Sequence, residues 1–172
     1  MREFFNRSYL WLTRSANHWF AWPFLFLISL LDVFILIIPS EPFFAAAVVG
    51  SPKKYIRFSL AMILGRLAAI LVIYAGAISF NLETLHHNAI EWGFQNAWDR
   101  CEHFFGTYGA LSLGVIAVSP FPMLFVIVMA SVAGESLIAM QGYAAIGLVI
   151  RYSILSYIVL MGRRLLLKTD GP

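Results

Sequence analysis

Long apolar runs alternate with short polar turns along the 172 residues, and four apolar blocks emerge, at 19–49, 56–80, 108–133 and 142–162. A helix that crosses a bilayer needs about 20 predominantly apolar residues. The second and fourth blocks meet that requirement without interruption, which predicts transmembrane helices over 56–80 and 142–162. The other two are broken by prolines, Pro39 and Pro42 in the first block and Pro120 and Pro122 in the third. Proline removes a backbone donor and its ring collides with the preceding turn, so a helix ends at each of these places. Between the two halves, residues 82–105 place Ile90, Phe94, Ala97, Trp98, Cys101, Phe104 and Phe105 at helical spacing, with Glu91, Gln95, Asp99 and Glu102 on the other side. That pattern predicts an amphipathic helix lying on a membrane surface. Residues 3–19 suggest a similar interfacial helix, with Trp11, Trp19 and Trp22 as anchors.

Composition strengthens the membrane reading. With 60% apolar and only 12% charged residues, the chain has more apolar surface than one soluble core could hide. The net charge of +3 comes from small basic groups between the apolar blocks, without the long run or stripe that nucleic acid would require. No nucleic-acid partner is expected. Arg2, Arg7 and Arg14 precede an apolar run and Ala45, Ala46 and Ala47 resemble a cleavage site, but the run is too long for a signal peptide and carries Asp32. The N-terminus is therefore expected to be retained. The single cysteine, Cys101, cannot close an intrachain disulfide.

Charge also discriminates between topologies. If all four blocks crossed, Lys53, Lys54 and Arg57 would lie across the membrane from Arg2, Arg7 and Arg14, against the positive-inside tendency. If the broken blocks dip in and return, those six residues join Arg163, Arg164 and Lys168 on one face, and Arg100 stays on the other with Glu83, Glu91, Asp99 and Glu102. The expected fold is thus an all-α integral membrane domain spanning 1–172. Two opposed re-entrant helical hairpins (20–50 and 108–134) accompany the two principal transmembrane helices, the amphipathic connector and a basic cytoplasmic tail (163–172). Each half runs broken block, polar turn, unbroken span with an arginine, the signature of an inverted repeat with a ligand site between broken helices. Non-helical backbone at membrane depth is tolerated only beside protein or water, so the hairpin tips, Pro39, Ser40 and Pro42 and Ser119, Pro120 and Pro122, should meet something polar.

Four ionisable residues carry the candidate chemistry: Asp32, Glu41, Arg66 and Arg151. A charge at bilayer depth costs at least about 2.5 to 3.5 kcal/mol, so such groups pair, face water or bind ligand. Glu41 either caps the half-helix that begins at Pro42 or exchanges protons, and the two roles are compatible. Asp32 either forms a structural ion pair with an arginine or shares the proton chemistry. Arg151 and Arg66 are the cations of such a pair or bind a lipid phosphate through charge-assisted contacts. The half-helix starts at Glu41–Pro42 and Ser119–Pro120 would add backbone donors for an anion. Lys53, Lys54, Arg163 and Arg164 read as headgroup anchors, and Ala61, Gly65 and Ala69 as a helix-packing stripe. His86, His87, Asp99, Cys101, Glu102 and His103 match no zinc spacing, and Glu135 reads as water-exposed. No metal or cofactor is expected. There is no H-E-x-x-H or G-x-S-x-G, and the cysteine has no activating partner at fixed spacing, so no enzyme is expected either.

Taken in order, Asp32, Pro39-Ser40-Glu41, the stretch GSPKKYIR from Gly50 to Arg57, Leu64-Gly65-Arg66, Tyr108-Gly109, Ser119-Pro120-Phe121-Pro122 and IGLVIRY from Ile146 to Tyr152 resemble the DedA family, also called VTT or SNARE-associated membrane proteins, and within it the short YqaA-like branch. The resemblance covers about residues 22–160. It implies two facing re-entrant hairpins and transport of lipid across the bilayer of the bacterial inner membrane, with polyisoprenyl phosphates or phosphatidylethanolamine as cargo and a dependence on the proton gradient. The family's acidic positions fall on Asp32 and Glu41, and its arginine in the last span on Arg151. Leu124 and Leu148 stand where the YqaA-like pattern has a lysine and an arginine, Ala69 and Ala77 replace glycines, and Arg66 adds a positive charge. These departures bear on how a phosphate is neutralised. The expected function is a flippase-like or scramblase-like lipid transporter whose partners are a phosphate-bearing lipid and protons. Both termini would be cytoplasmic, and a homo-oligomer is compatible with the reading. The alternative is a non-transporting membrane scaffold serving envelope homeostasis.

Overall fold

The computed structural model describes residues 18–35, 39–77, 95–119 and 123–169 with isolated positions at 16, 87, 90, 91 and 93, and side chains as far as 162 apart from that of residue 97. Most of the expected interfacial segment 3–19, most of 82–94, the tip residues Pro120, Phe121 and Pro122, and the side chains of the basic tail lie outside the described residues. The described chain is helical, with no strand among the described residues. The helices are α1 (Ala21–Phe34), α2 (Glu41–Gly50), α3 (Tyr55–Ala77), α4 (Gln95–Tyr108), α5 (Leu111–Val118), α6 (Met123–Val132) and α7 (Leu137–Thr169), with a 3-10 turn at Pro52–Lys54 before α3.

The breaks follow the prolines. α1 closes with the Ile35 amide donating to the Leu31 carbonyl at 2.8 Å, before Pro39 is reached. α2 starts from Ser40 with Glu41 and Pro42 in its first turn, where the missing proline N–H would have had no helical partner anyway. α5 ends at Ser119, which is extended (φ −85°, ψ 164°), as the residue before a proline prefers. Glycine closes two other helices. Gly109 (φ 53°) ends α4, its amide donating to Phe105 at 2.7 Å. Gly134 (φ 78°) ends α6 while the Glu135 amide reaches back to Ala130 at 3.0 Å, the left-handed cap that glycine adopts without a side-chain clash.

Two segments, Pro52–Ala77 and Leu137–Gly162, are long and apolar enough to cross a membrane. At 1.5 Å per residue α3 is about 35 Å long and α7 about 50 Å, the latter well beyond a hydrocarbon core of about 30 Å. α7 starts before residue 142 and continues past 162 because Leu, Ala, Met, Lys and Arg there are good helix formers. Hydropathy marks the apolar part of a helix and says little about its ends.

The chain packs as two compact units: residues 1–66 with 149–172, and residues 67–148. Both α3 and α7 contribute one part to each. In the first unit, Phe24 of α1 meets Phe43 of α2 edge to face at 6.3 Å, and Phe44 meets Tyr152 of α7 at 5.1 Å. The Ser29 hydroxyl donates to the Met62 carbonyl at 2.6 Å. In the second, Trp98 of α4 packs on Phe125 of α6 at 5.9 Å, and Gln141 of α7 donates to the Leu67 carbonyl at 2.9 Å. Helix pairs that cannot gain from excluding water rely on such close packing and interhelical hydrogen bonds. In α4, Trp98 and Cys101 are buried while Asp99, Arg100, Glu102 and His103 are exposed, the two faces expected. Phe104 departs from the expected apolar face. It is partly exposed and tilts against Tyr108 one turn on.

Candidate functional site

In the first unit, a glycine sets the geometry. A Cβ on Gly65 would overlap the Phe26 carbonyl oxygen of α1, so only glycine lets α3 approach so closely. The next residue is Arg66, and this approach carries its guanidinium to the polar end of α1. Arg66 Nη2 donates to Asp32 Oδ2, to Ser40 Oγ at 3.3 Å and to Glu41 Oε1 at 3.2 Å. Arg151 of α7 donates through Nη2 to the same Glu41 Oε1. Ser40 Oγ donates to Asp32 Oδ2 at 2.8 Å. All four residues singled out from the sequence, Asp32, Glu41, Arg66 and Arg151, therefore meet in one network, with Ser40 as a fifth member. The helix breaks before Pro39, and the start of α2 stands beside Asp32 in the last turn of α1.

The network is electrically balanced, two guanidiniums against two carboxylates, which is what a buried set of charges needs if its desolvation cost is to be recovered. Exposure is graded within it. Side-chain accessibility is 7% for Arg66, 12% for Arg151, 15% for Asp32 and 28% for Glu41. Glu41 is thus the member nearest the surface of the unit and the arginines lie beneath it. At the inner end, Tyr152 is 1% exposed. Its hydroxyl lies near Arg66 and Ser29, yet neither that hydroxyl nor Arg66 Nε meets the geometry of a hydrogen bond.

Glu41 is not the cap of this helix but its first residue. Ser40 occupies the N-cap and makes no side-chain cap bond, because its hydroxyl goes to Asp32. Glu41 sits in the first turn, where its charge favours the positive end of the helix, while its carboxylate reaches the two arginines. Ser29 and Tyr152 were not singled out from the sequence. Ser29 carried a signal, since it precedes Asp32 by three residues and so shares its helix face. Tyr152 carried none, being next to Arg151 and turned about 100° away from it along the helix.

In the second unit the same construction carries no charge. A Cβ on Gly147 of α7 would overlap the Gly114 carbonyl oxygen of α5, and the residue after it is Leu148, fully buried. Neither α5 nor α6 contains an ionisable residue. Ser119 belongs to this unit and donates to the Ile116 carbonyl at 3.0 Å. Leu124 is half-buried. A cavity of about 290 Å³ is lined by Trp98, Glu102, Phe105, Gly106, Met129, Val132 and Ala133, apolar apart from the one carboxylate. Burial pushes the Cys101 thiol up to about 11. Among the described residues, no three or more His, Cys, Asp or Glu side chains stand together in a way that could hold a metal ion. No family model, curated protein or solved structure matches this chain.

Proposed function

We propose that this chain is a membrane lipid transporter, flippase-like or scramblase-like, that moves a phosphate-bearing lipid such as a polyisoprenyl phosphate or phosphatidylethanolamine across the bilayer without covalent chemistry. One observation carries the reading: Asp32, Glu41, Arg66 and Arg151 form a single charged network among apolar helices. Ionisable groups in such surroundings are expensive and mark substrate or proton pathways. Guanidiniums are well suited to a phosphate, to which they donate parallel charge-assisted hydrogen bonds. The headgroup would be held by Arg151 and Arg66 while the tails stay in lipid, and protonation of Glu41 or Asp32 would bias which side of the membrane is open.

The finer architecture belongs to the same proposal. The two broken helix pairs dip into the membrane and return, the halves are related as an inverted repeat, and the chain is multi-pass in a bacterial inner membrane with both termini cytoplasmic. The DedA-like order of motifs supports this, as does the glycine-mediated packing repeated at Gly65 and Gly147. A pure scaffold would have no use for the charges, since the break after α5 is made with none.

The test is transport by purified protein in liposomes containing headgroup-labelled phosphatidylethanolamine or polyisoprenyl phosphate. Wild type should move at least one of these lipids, and Glu41→Ala should be slower by about tenfold or more. Equal rates for the two proteins would defeat the mechanism, and no movement of any candidate lipid would favour the scaffold.

A further inference from the structure

The headgroup site contains a resident anion. Arg66 is bonded to Asp32, Ser40 and Glu41 at once, and Arg151 is bonded to Glu41. With both carboxylates and both guanidiniums charged, the network sums to zero. It has no surplus positive charge to offer an arriving phosphate. The most exposed member is moreover the carboxylate Glu41, at 28% against 12% and 7% for the two arginines, so the most accessible group an arriving anion meets is a like charge. Asp32 differs. It is bound by the more buried arginine and by Ser40, and is the less accessible of the two acids.

Resting on the lipid-headgroup reading above, we propose that Glu41 is an internal stand-in for the ligand, which a singly charged phosphodiester headgroup must displace from Arg151 and Arg66 in order to bind. With the Glu41 carboxylate gone from the site, Asp32, Arg66 and Arg151 leave one positive charge, and a phosphodiester of one negative charge restores the balance. Arg151 and Arg66 exchange one oxyanion for another, and no step adds an uncompensated charge to the apolar surroundings, where such a charge is most costly. Glu41 is therefore expected to oppose binding while serving transport, because its return to the arginines expels the headgroup.

This predicts an opposite sign for two measurements on one residue. The first is binding of dioctanoyl phosphatidylethanolamine, whose phosphodiester carries one negative charge, added to protein in a non-ionic detergent and followed by calorimetry. Glu41→Gln keeps the shape and removes the charge, and should bind this lipid at least about tenfold more tightly than wild type, whereas Arg151→Gln should bind it more weakly. Transport in liposomes should fall in Glu41→Gln. Glu41→Ala serves as the second variant, and either is used provided its elution from a sizing column matches wild type. If wild type binds the lipid and both Glu41 variants bind it equally or more weakly, the displacement inference is overturned while the headgroup reading stands. If none of the proteins binds it, the headgroup reading itself fails and this inference with it.

Discussion

The two units solve one folding problem with different materials. In each, a proline-interrupted helix pair packs on a long helix at a glycine whose missing Cβ admits a backbone carbonyl, Gly65 against Phe26 and Gly147 against Gly114. In the first unit the residue after the glycine is Arg66, bonded to Asp32 and Glu41. In the second it is Leu148, fully buried. The second unit shows that a broken helix pair of this kind can be packed without any charge, so breaking the helix does not by itself call for the charges of the first. Their retention in the first unit needs another reason, and ligand binding supplies one.

The sharpest way to break this contrast is to exchange the two residues. Arg66→Leu removes the only cation bonded to Asp32 among the contacts described, and breaking a buried pair from one side costs about 3 to 5 kcal/mol. The purified variant should lose most of its thermal stability in a size-exclusion melting assay, and Arg66→Leu combined with Asp32→Leu should recover much of it. If the single variant melts like wild type, the network is not a buried ion pair. Leu148→Arg asks the converse in the second unit, where neither α5 nor α6 offers a carboxylate. An unpartnered charge at such a position costs about 2.5 to 3.5 kcal/mol on insertion scales. It should lower the melting temperature almost as far, and an unchanged value would mean that the second unit has room or partners for a charge.

Where the units agree, so should their mutants. Gly65→Ala and Gly147→Ala each force a methyl group into a backbone carbonyl, a strain of about 1 to 3 kcal/mol, and both should melt lower by similar amounts. A large difference between them would deny that the glycines play equivalent parts. The smallest effect on stability, and a chemical one, lies at Cys101. Its thiol, pushed up to about 11 by burial, carries about a hundredfold less thiolate at pH 8 than a thiol of ordinary acidity. Maleimide labelling in mild detergent should be slow at pH 8 and accelerate about tenfold per pH unit toward 11, and should become fast at pH 8 once the protein is unfolded in dodecyl sulfate. Fast labelling of the folded protein at pH 8 would place Cys101 on an open face of α4.

Much of this was legible in the sequence, for identifiable reasons. Pro39 and Pro42 announce the first break because proline acts locally, on its own turn and the one before. Asp32, Glu41, Arg66 and Arg151 stand out because charge is scarce in apolar blocks. Their pairing was less legible. Arg66 lies 34 residues from Asp32 and Arg151 lies 110 from Glu41, and no local rule chooses between two arginines for two acids. Gly65 reads equally well as one member of a small-residue stripe. That it admits a carbonyl, and so delivers the next side chain to a particular acid, depends on which helix packs there. Ser40 reads only as part of a hairpin tip that should meet something polar, and the sequence does not say that Asp32 takes its hydroxyl.

In the proposed mechanism a phosphate headgroup binds at the charged network of the first unit. The most direct measurement is photocrosslinking in proteoliposomes with a phospholipid that carries a diazirine on its headgroup, followed by peptide mapping. Adducts should concentrate between Asp32 and Phe44 and around Arg151, and should decline in Arg151→Gln. Adducts confined to α5, α6 and the chain between them, or a pattern indifferent to Arg151, would mean that the headgroup does not bind at this network.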